Sequence, residues 1–315
     1  MKIYIVSPKH EGMKHMNGKK IKVFYKKSDT KTAWIMLAPA VIVLLLMQGY
    51  PILRTFYLSF HEMNLKKPGT GYPWNGLENY IQIFQDARVY TDLAFTVKFT
   101  IITVSLELII GFAAALIMNR EFKGRGIVRA AILVPWAIPT SVSAMMWKFI
   151  YNDQYGMFND LLYKLGIIDG YKAWLSTSGG SFLALVVTDV WKTAPYMALL
   201  ILSGLQMISG DLYESAKIDG ANIVQRFLRI TLPMVKKPLL VALLLRTLDA
   251  FRVFDLVNVL TGGANKTESI ALYAYKQLMT FLNFGYGSAL AIFIFLIVFA
   301  ISGGYIFFIN KDIDV

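Results

Sequence analysis

The chain has 315 residues, 56% of them hydrophobic and only 17% charged, with a mean hydropathy of +0.51. A water-soluble domain carries about 25% charged residues, so the composition excludes an ordinary soluble globule and points to a membrane. The net charge of +12 is spread in a way that excludes nucleic acid as its purpose, and the lack of cysteine removes disulfides, thiolate zinc sites and thiol nucleophiles.

Residues 1–32 form a Lys-rich segment (Lys2, Lys9, Lys14, Lys19, Lys20, Lys22, Lys26, Lys27 and Lys31, against Glu11 and Asp29). It reads as a solvated or headgroup-facing tail. The first apolar run follows thirty-odd polar residues and is too long for a cleaved signal sequence. A hydrocarbon core of about 30 Å needs about 20 apolar helical residues. Six segments qualify: Trp34–Phe60, Leu93–Asn119, Ile127–Ile150, Phe182–Ile208, Lys237–Leu260 and Phe284–Asn310. Backbone polar groups in lipid must be satisfied within the segment, and the alternation of a membrane barrel is missing, so these are helices. The expectation is an all-α polytopic membrane protein with six transmembrane helices in residues 33–315. Arg120, Lys123, Arg125 and Arg129 stand in the second-to-third connection, and Arg226, Arg229, Lys236 and Lys237 in the fourth-to-fifth. Basic charge in every second loop puts both termini in the cytoplasm.

In the second span Gly111, Ala114 and Ala115 offer a small-residue packing face. In the third, Pro135 and Pro139 predict a kink, with Trp136 and Trp147 as interfacial anchors. The fourth holds Asp189 and Lys192, followed by Thr193 and Tyr196; the fifth holds Arg246, Asp249, Arg252 and Asp255 at intervals of three. Ionisable groups within spans suggest function. They also neutralise one another at i, i+3, so internal ion pairs that stabilise a polar bundle interior are the competing reading.

Between the fourth and fifth spans runs "YESAKIDGANIVQRFLRITLPMVKKP", Tyr213–Pro238. Asp211 and Glu214 suggest a capping box, Gly220 a left-handed helix stop, and Asn222 with Gln225 a second cap. Ile223, Phe227 and Ile230 share one face of the second helix, and Pro233 and Pro238 bend the chain toward the fifth span. On physics alone this elbow is either an interfacial linker resting on headgroups or a docking element for a cytoplasmic partner. "TGGANKTE", Thr261–Glu268, lacks the Gly-Lys-Ser/Thr ending of a phosphate-binding loop. His10, His15 and His61 have no metal-ligand spacing, and no nucleophile–base pair stands out.

The elbow's Glu214-Ser215-Ala216, then Gly220, then Ile230-Thr231-Leu232-Pro233 resembles the EAA loop of ABC-importer permeases, with Ser215 in place of the usual first alanine. Asp219-Gly220-Ala221, Phe227 and Pro238 are similar to the carbohydrate-uptake, maltose-permease-like branch, as are "NGLENY" (Asn75–Tyr80), "FKGRGIVRAAILVPWAIP" (Phe122–Pro139), "DVWKTAPYM" (Asp189–Met197), "FRVFDLVNVLTGG" (Phe251–Gly263) and "FGYGSALA" (Phe284–Ala291). At Ala264 that branch usually has proline, which implies a less rigid outer loop.

The resemblance implies a type I ABC-importer permease fold with a coupling loop at residues 210–233. It implies docking of a cytoplasmic ATPase dimer on Glu214, Ser215, Ala216, Asp219, Gly220, Ala221 and Phe227, with Phe227 either in the ATPase groove or against the permease's own helices. It implies a sugar path at Asp189, Lys192, Thr193, Tyr196, Asp249, Ala250 and Val253, of which Lys192 and Thr193 depart from the maltose-type residues. The implied partners are a second permease subunit, the ATPase dimer, an extracytoplasmic solute-binding protein, the sugar and membrane lipid. ATP and magnesium would serve the ATPase, and this chain would hold no cofactor or metal and be no enzyme. The implied location is the cytoplasmic (inner) membrane of a bacterial or archaeal cell. A secondary transporter is the main rival, but no internal repeat is found and it leaves the elbow without a task. An ABC permease for a non-sugar solute and a membrane-embedded enzyme are further alternatives.

Overall fold

The computed structural model describes residues 27–67 and 71–311; the Lys-rich run up to Lys26 lies outside them. Among the described residues all regular structure is helical, with isolated bridges at His61–Trp74 and Asn64–Asn283. The chain divides at Ile52–Leu53 into two compact units.

The first unit contains α1 (Lys27–Leu44) and a π-helical turn, Leu45–Gly49, that leads into α2 (Tyr50–Leu58). Trp34, Ile35, Leu44 and Leu46 all hold their side chains outward. Large apolar groups turned outward all round a helix mark one built for hydrocarbon or for another apolar surface.

The second unit starts within α2 at Leu53 and goes on to α3 (Glu78–Gln85) and α4 (Ala87–Asn119); α4 has 33 residues and is about 50 Å long at about 1.5 Å per residue. Asp86 caps α4 by accepting the Arg88 backbone N–H at 2.9 Å. α4 lies against α8 (Ser178–Leu205), the most enclosed of the long helices. The small-residue face is where they meet: a methyl on Gly111 would stand 2.9 Å from Met197 Cγ and 3.1 Å from the Ala194 carbonyl. Ala115 is fully buried beside it.

The third predicted span is broken outright. α5 (Arg125–Ala137) and α6 (Thr140–Ile150) meet at 92°. Pro139 has no N–H to continue the ladder and its ring pushes the preceding residue out of helical space; Ile138 is accordingly extended, at φ −76°, ψ 134°. α7 (Met157–Lys164) is an outlying short helix, held through buried Asn159, which receives the Trp174 indole N–H at 2.8 Å.

After α9 (Gly210–Ile218) and α10 (Ile223–Arg226), α11 (Leu232–Phe251) follows through a π-helical turn at Phe227–Thr231. Pro233 stands in the first turn of α11, directly after the widened turn, where its missing donor costs the ladder little. The fifth predicted span also ends early. α11 stops at Phe251, and α12 (Asp255–Leu260) starts after a three-residue break. The Ser269 hydroxyl donates to the freed Val253 carbonyl at 2.7 Å. α13 (Ile270–Met279) and α14 (Phe284–Lys311) complete the chain.

Among the described residues, length and apolar composition single out four helices able to cross a membrane, or five if α5 and α6 count as one bent span. The six-helix expectation needs α11 as well, which those criteria miss because it carries Lys236, Lys237, Arg246 and Asp249. The loop around Ala264, expected to be loose, is tied down: Asn265 Nδ2 donates to the Leu175 carbonyl at 2.7 Å, and Thr267 Oγ1 to Thr261 Oγ1 at 2.9 Å.

Candidate functional site

Three helices bring charge into the apolar interior. Arg246 of α11 is 1% exposed. Its Nε and one terminal nitrogen donate to the two oxygens of Glu107 on α4, that same nitrogen also reaches Asp189 Oδ2 on α8, and the other bonds Asp249 Oδ2 at 2.9 Å. Thr193 adds its hydroxyl to Glu107 Oε1 at 2.6 Å. A guanidinium fits this task because its planar donors satisfy several carboxylates at once. Arg246 and Asp249 are thus an i, i+3 pair, as the spacing suggested, but the ladder goes no further. Arg252 lies beyond the end of α11, with its Nε on the Leu248 carbonyl at 3.1 Å, and Asp255 opens α12. Asp189 turns to Arg246, while Lys192 reaches the Trp136 carbonyl at 3.4 Å.

Beside this cluster is a polar cavity of about 270 Å³ lined by Trp136, Thr140, Asp189, Lys192, Thr193, Arg246, Asp249, Ala250, Arg252, Val253, Phe254, Asp255 and Leu256. Of the seven sequence-derived path candidates, six line it: Asp189, Lys192, Thr193, Asp249, Ala250 and Val253. The seventh, Tyr196, stacks its ring on Trp136 (centroids 5.2 Å apart, planes within 13°) and so backs the wall from behind. The arrangement offers carboxylate acceptors, ammonium and guanidinium donors and a flat indole face, a combination suited to a polyhydroxylated solute. A roomier cleft of about 550 Å³ between α4, α5 and α8 is almost wholly apolar and offers no such groups.

Glu107 was not among the sequence candidates. The signal was present, since it is the one carboxylate between Asp92 and Glu121, and ionisable groups inside spans are costly. Trp136 was read only as an anchor, and Thr140, Arg252 and Asp255 were not placed at the cavity.

The elbow has a different construction. Ser209, not Asp211, is the first N-cap: its hydroxyl accepts the Asp211 N–H at 3.3 Å, and α9 starts at Gly210. The expected Asp211–Glu214 box is therefore displaced by two residues, because Ser209 is the residue in extended conformation (φ −63°, ψ 137°). Gly220 has φ +78° and ends α9 as read from the sequence. Asn222 and Gln225 form a reciprocal capping box at 2.9 and 2.8 Å. Tyr213 OH meets Thr231 Oγ1 at 2.8 Å and ties α9 to the π turn. Glu214, Ser215, Asp219 and Gly220 are exposed, and Ala216 and Ala221 half-buried. Phe227 is half-buried with its ring edge-to-face on Phe112 of α4, centroids 5.4 Å apart. Ile218 and Ile223 stay 87% and 73% exposed.

At the other end of α4, Arg88 Nε donates to Glu268 at 2.8 Å and Lys276 pairs with the same carboxylate at 2.7 Å. Tyr273 and Tyr286 donate their hydroxyls to Asp86 at 2.6 and 2.7 Å. Burial raises the Asp86 pKa, but these hydrogen bonds outweigh it and hold the carboxyl below its ordinary value. Burial, then the bond to Asp86, pushes the Tyr273 phenol up to about 12.

A family described as the binding-protein-dependent transport system inner membrane component matches residues 107–311. The trehalose/maltose transport system permease protein MalF of Thermococcus litoralis is 43% identical over 89% of this chain and 94% of its own length. The trehalose transport system permease protein SugA of Mycobacterium tuberculosis is 37% identical over 86% of both chains. In fold, the chain is similar to a chain from the crystal structure of a bacterial ABC transporter involved in import of the acidic polysaccharide alginate: TM-score 0.79, 22% identity, coverage 90% of this chain and 98% of that one. With the end of α4 and all of α5 to α14 inside the matched region and the apolar helices described above, this multi-pass chain belongs to the binding-protein-dependent transport system inner membrane components, the permease subunits of ABC importers.

Proposed function

We propose that the chain is a membrane-spanning subunit of an ATP-driven sugar importer and that the cavity beside Arg246 is its part of the path. The observation that carries this is convergence. Residues on α8, the end of α11 and the break after it, far apart in sequence, line one polar space backed by stacked Trp136 and Tyr196. The names of the trehalose and maltose permeases to which the chain is similar support a sugar as solute.

In this reading Asp189, Lys192, Thr193 and Asp249 exchange hydrogen bonds with hydroxyls, while Ala250 and Val253 leave room for the ring. Exposed Glu214, Ser215, Asp219 and Gly220, with Ala216 and Ala221 behind them, meet the cytoplasmic ATPase. Phe227 stays on Phe112, so movement of the elbow is passed into α4. ATP and magnesium act at the ATPase and none at this chain. A second permease completes the pore, and a solute-binding protein delivers the sugar from outside. The chain lies in the cytoplasmic membrane with both termini in the cytoplasm, following its basic loops. Residues 1–32 form the basic tail and 33–315 the permease body.

The test is uptake by proteoliposomes holding this chain with its partners. Sugar accumulation requires ATP on the ATPase side and persists with an ionophore; collapse by the ionophore without any ATP requirement would establish a secondary transporter instead. In the same vesicles, Asp189→Ala and Tyr196→Ala shift the order in which sugars compete, and an unchanged order removes both from the path.

A further inference from the structure

A further pocket, about 490 Å³, opens where α4 and α8 end. Its floor is apolar, from Leu116, Leu205 and Phe227, and its lining carries three cations, Arg120, Lys217 and Arg226. No acidic residue is among the described lining residues. Arg120 and Lys217 are exposed, and none of the three cations is ion-paired among the described residues. The Arg226 Nε is buried without a hydrogen-bond partner.

Position and chemistry agree. Leu116 lies in the last turn of α4 and Leu205 is the last residue of α8, so the floor lies where two helices long and apolar enough to cross a membrane end together. Cations just beyond that level are where lipid phosphates lie, and basic pockets between such helices on the cytoplasmic side take anionic headgroups. A free anion would have no use for the apolar floor, which instead suits the first part of an acyl chain. The geometry points to a binding site for one anionic phospholipid, its phosphate on Arg120, Lys217 and Arg226 and its chain over Leu116, Leu205 and Phe227. The lipid would brace α9 and the π turn against α4 from the side, next to the Tyr213–Thr231 bond.

The assignment is independent of which solute is carried, because its test reads lipid retention. The full-length chain, purified with its partner subunits from nanodiscs of phosphatidylcholine and phosphatidylglycerol, is examined by native mass spectrometry. Phosphatidylglycerol stays bound in preference to phosphatidylcholine. Arg120→Gln and Lys217→Gln, both at exposed positions, each weaken retention about fivefold, and Lys217→Arg restores it. Arg229→Gln, which removes a neighbouring cation outside the lining, leaves retention unchanged. Equal retention of the two lipids, no loss in the lining variants, or equal loss in Arg229→Gln overturns the site. Displacement by inorganic phosphate alone would make it a free-anion site. Retention of the lipid only after the ATPase is stripped from the complex would make these cations part of a protein contact. Either result also refutes the lipid assignment.

Discussion

Arg246 and the elbow are both rich in charge, but one is closed upon itself and the other is left open. All three guanidinium nitrogens of Arg246 are engaged with carboxylates from three helices. Across the elbow, Glu214 and Asp219 are exposed, and Ile218, Ile223, Val224 and Leu228 turn apolar side chains outward. In an apolar interior an unpaired charge has no water to fall back on, so the inner group must be complete within this chain. The elbow lies beyond the ends of α8, and its uncovered apolar groups suit a surface meant for another protein. The inner group joins three helices of this chain, while the elbow leaves charged and apolar side chains uncovered.

Breaking the inner group has the largest expected effect. Arg246→Met leaves Glu107 and Asp189 buried without their ion-pair partner, at a cost of about 3–5 kcal/mol. The unfolding midpoint of the solubilised protein falls sharply, and Arg246→Lys recovers little of it. An unchanged midpoint would mean that the cluster does not fix the helices. Gly111→Leu follows, since its first carbon already crowds Met197 and the Ala194 carbonyl; overpacking of this kind costs about 1–3 kcal/mol and lowers the same midpoint.

Substitutions in the elbow should divide stability from coupling. Gly220→Val places a branched residue at φ +78°, a backbone cost of about 1–2 kcal/mol, yet nothing lies within 4 Å of the added carbon. The chain remains inserted while ATPase association weakens; normal association would show that the elbow is not the docking element. Tyr213→Phe removes one hydrogen bond to Thr231, worth about 1 kcal/mol, and produces a small loss seen as faster hydrogen exchange in α9.

The smallest effect lies outside both regions. Asp86 has its pKa held down when folded, so its contribution is fully present above the unfolded carboxylate value, about 3.9. It is lost as pH falls through the lower folded value. Asp86→Asn should flatten that acid limb of a stability–pH profile, and an identical limb in the variant would refute the linkage.

Much of this was legible because membranes make charge conspicuous. Asp189, Lys192 and Asp249 stand out in greasy helices, and the structure gathers them with Arg246. Glu107 obeyed the same rule and was overlooked because its partner is 139 positions away, beyond any local spacing. The cap at Ser209 was missed because serine and aspartate both cap helices, and only the backbone conformation chooses between them. The end of α11 had no local sign: Ala250-Phe251-Arg252-Val253-Phe254 contains neither glycine nor proline, and the acceptor it frees is met by Ser269 from a later segment.

The right-angled corner at Pro139 has a further result for this polar wall. Because α5 stops at Ala137, the Trp136 carbonyl has no partner four residues on within a continuing helix, and Lys192 lies 3.4 Å away from it. That oxygen belongs to the main chain, so no exchange of the residue 136 side chain deletes it. Pro139→Ala is the change that reaches it: alanine brings back an amide and lifts the ring's pressure on Ile138, allowing α5 and α6 to straighten and draw the oxygen back into their own ladder. One imino acid thereby keeps a permanent acceptor turned toward the lysine.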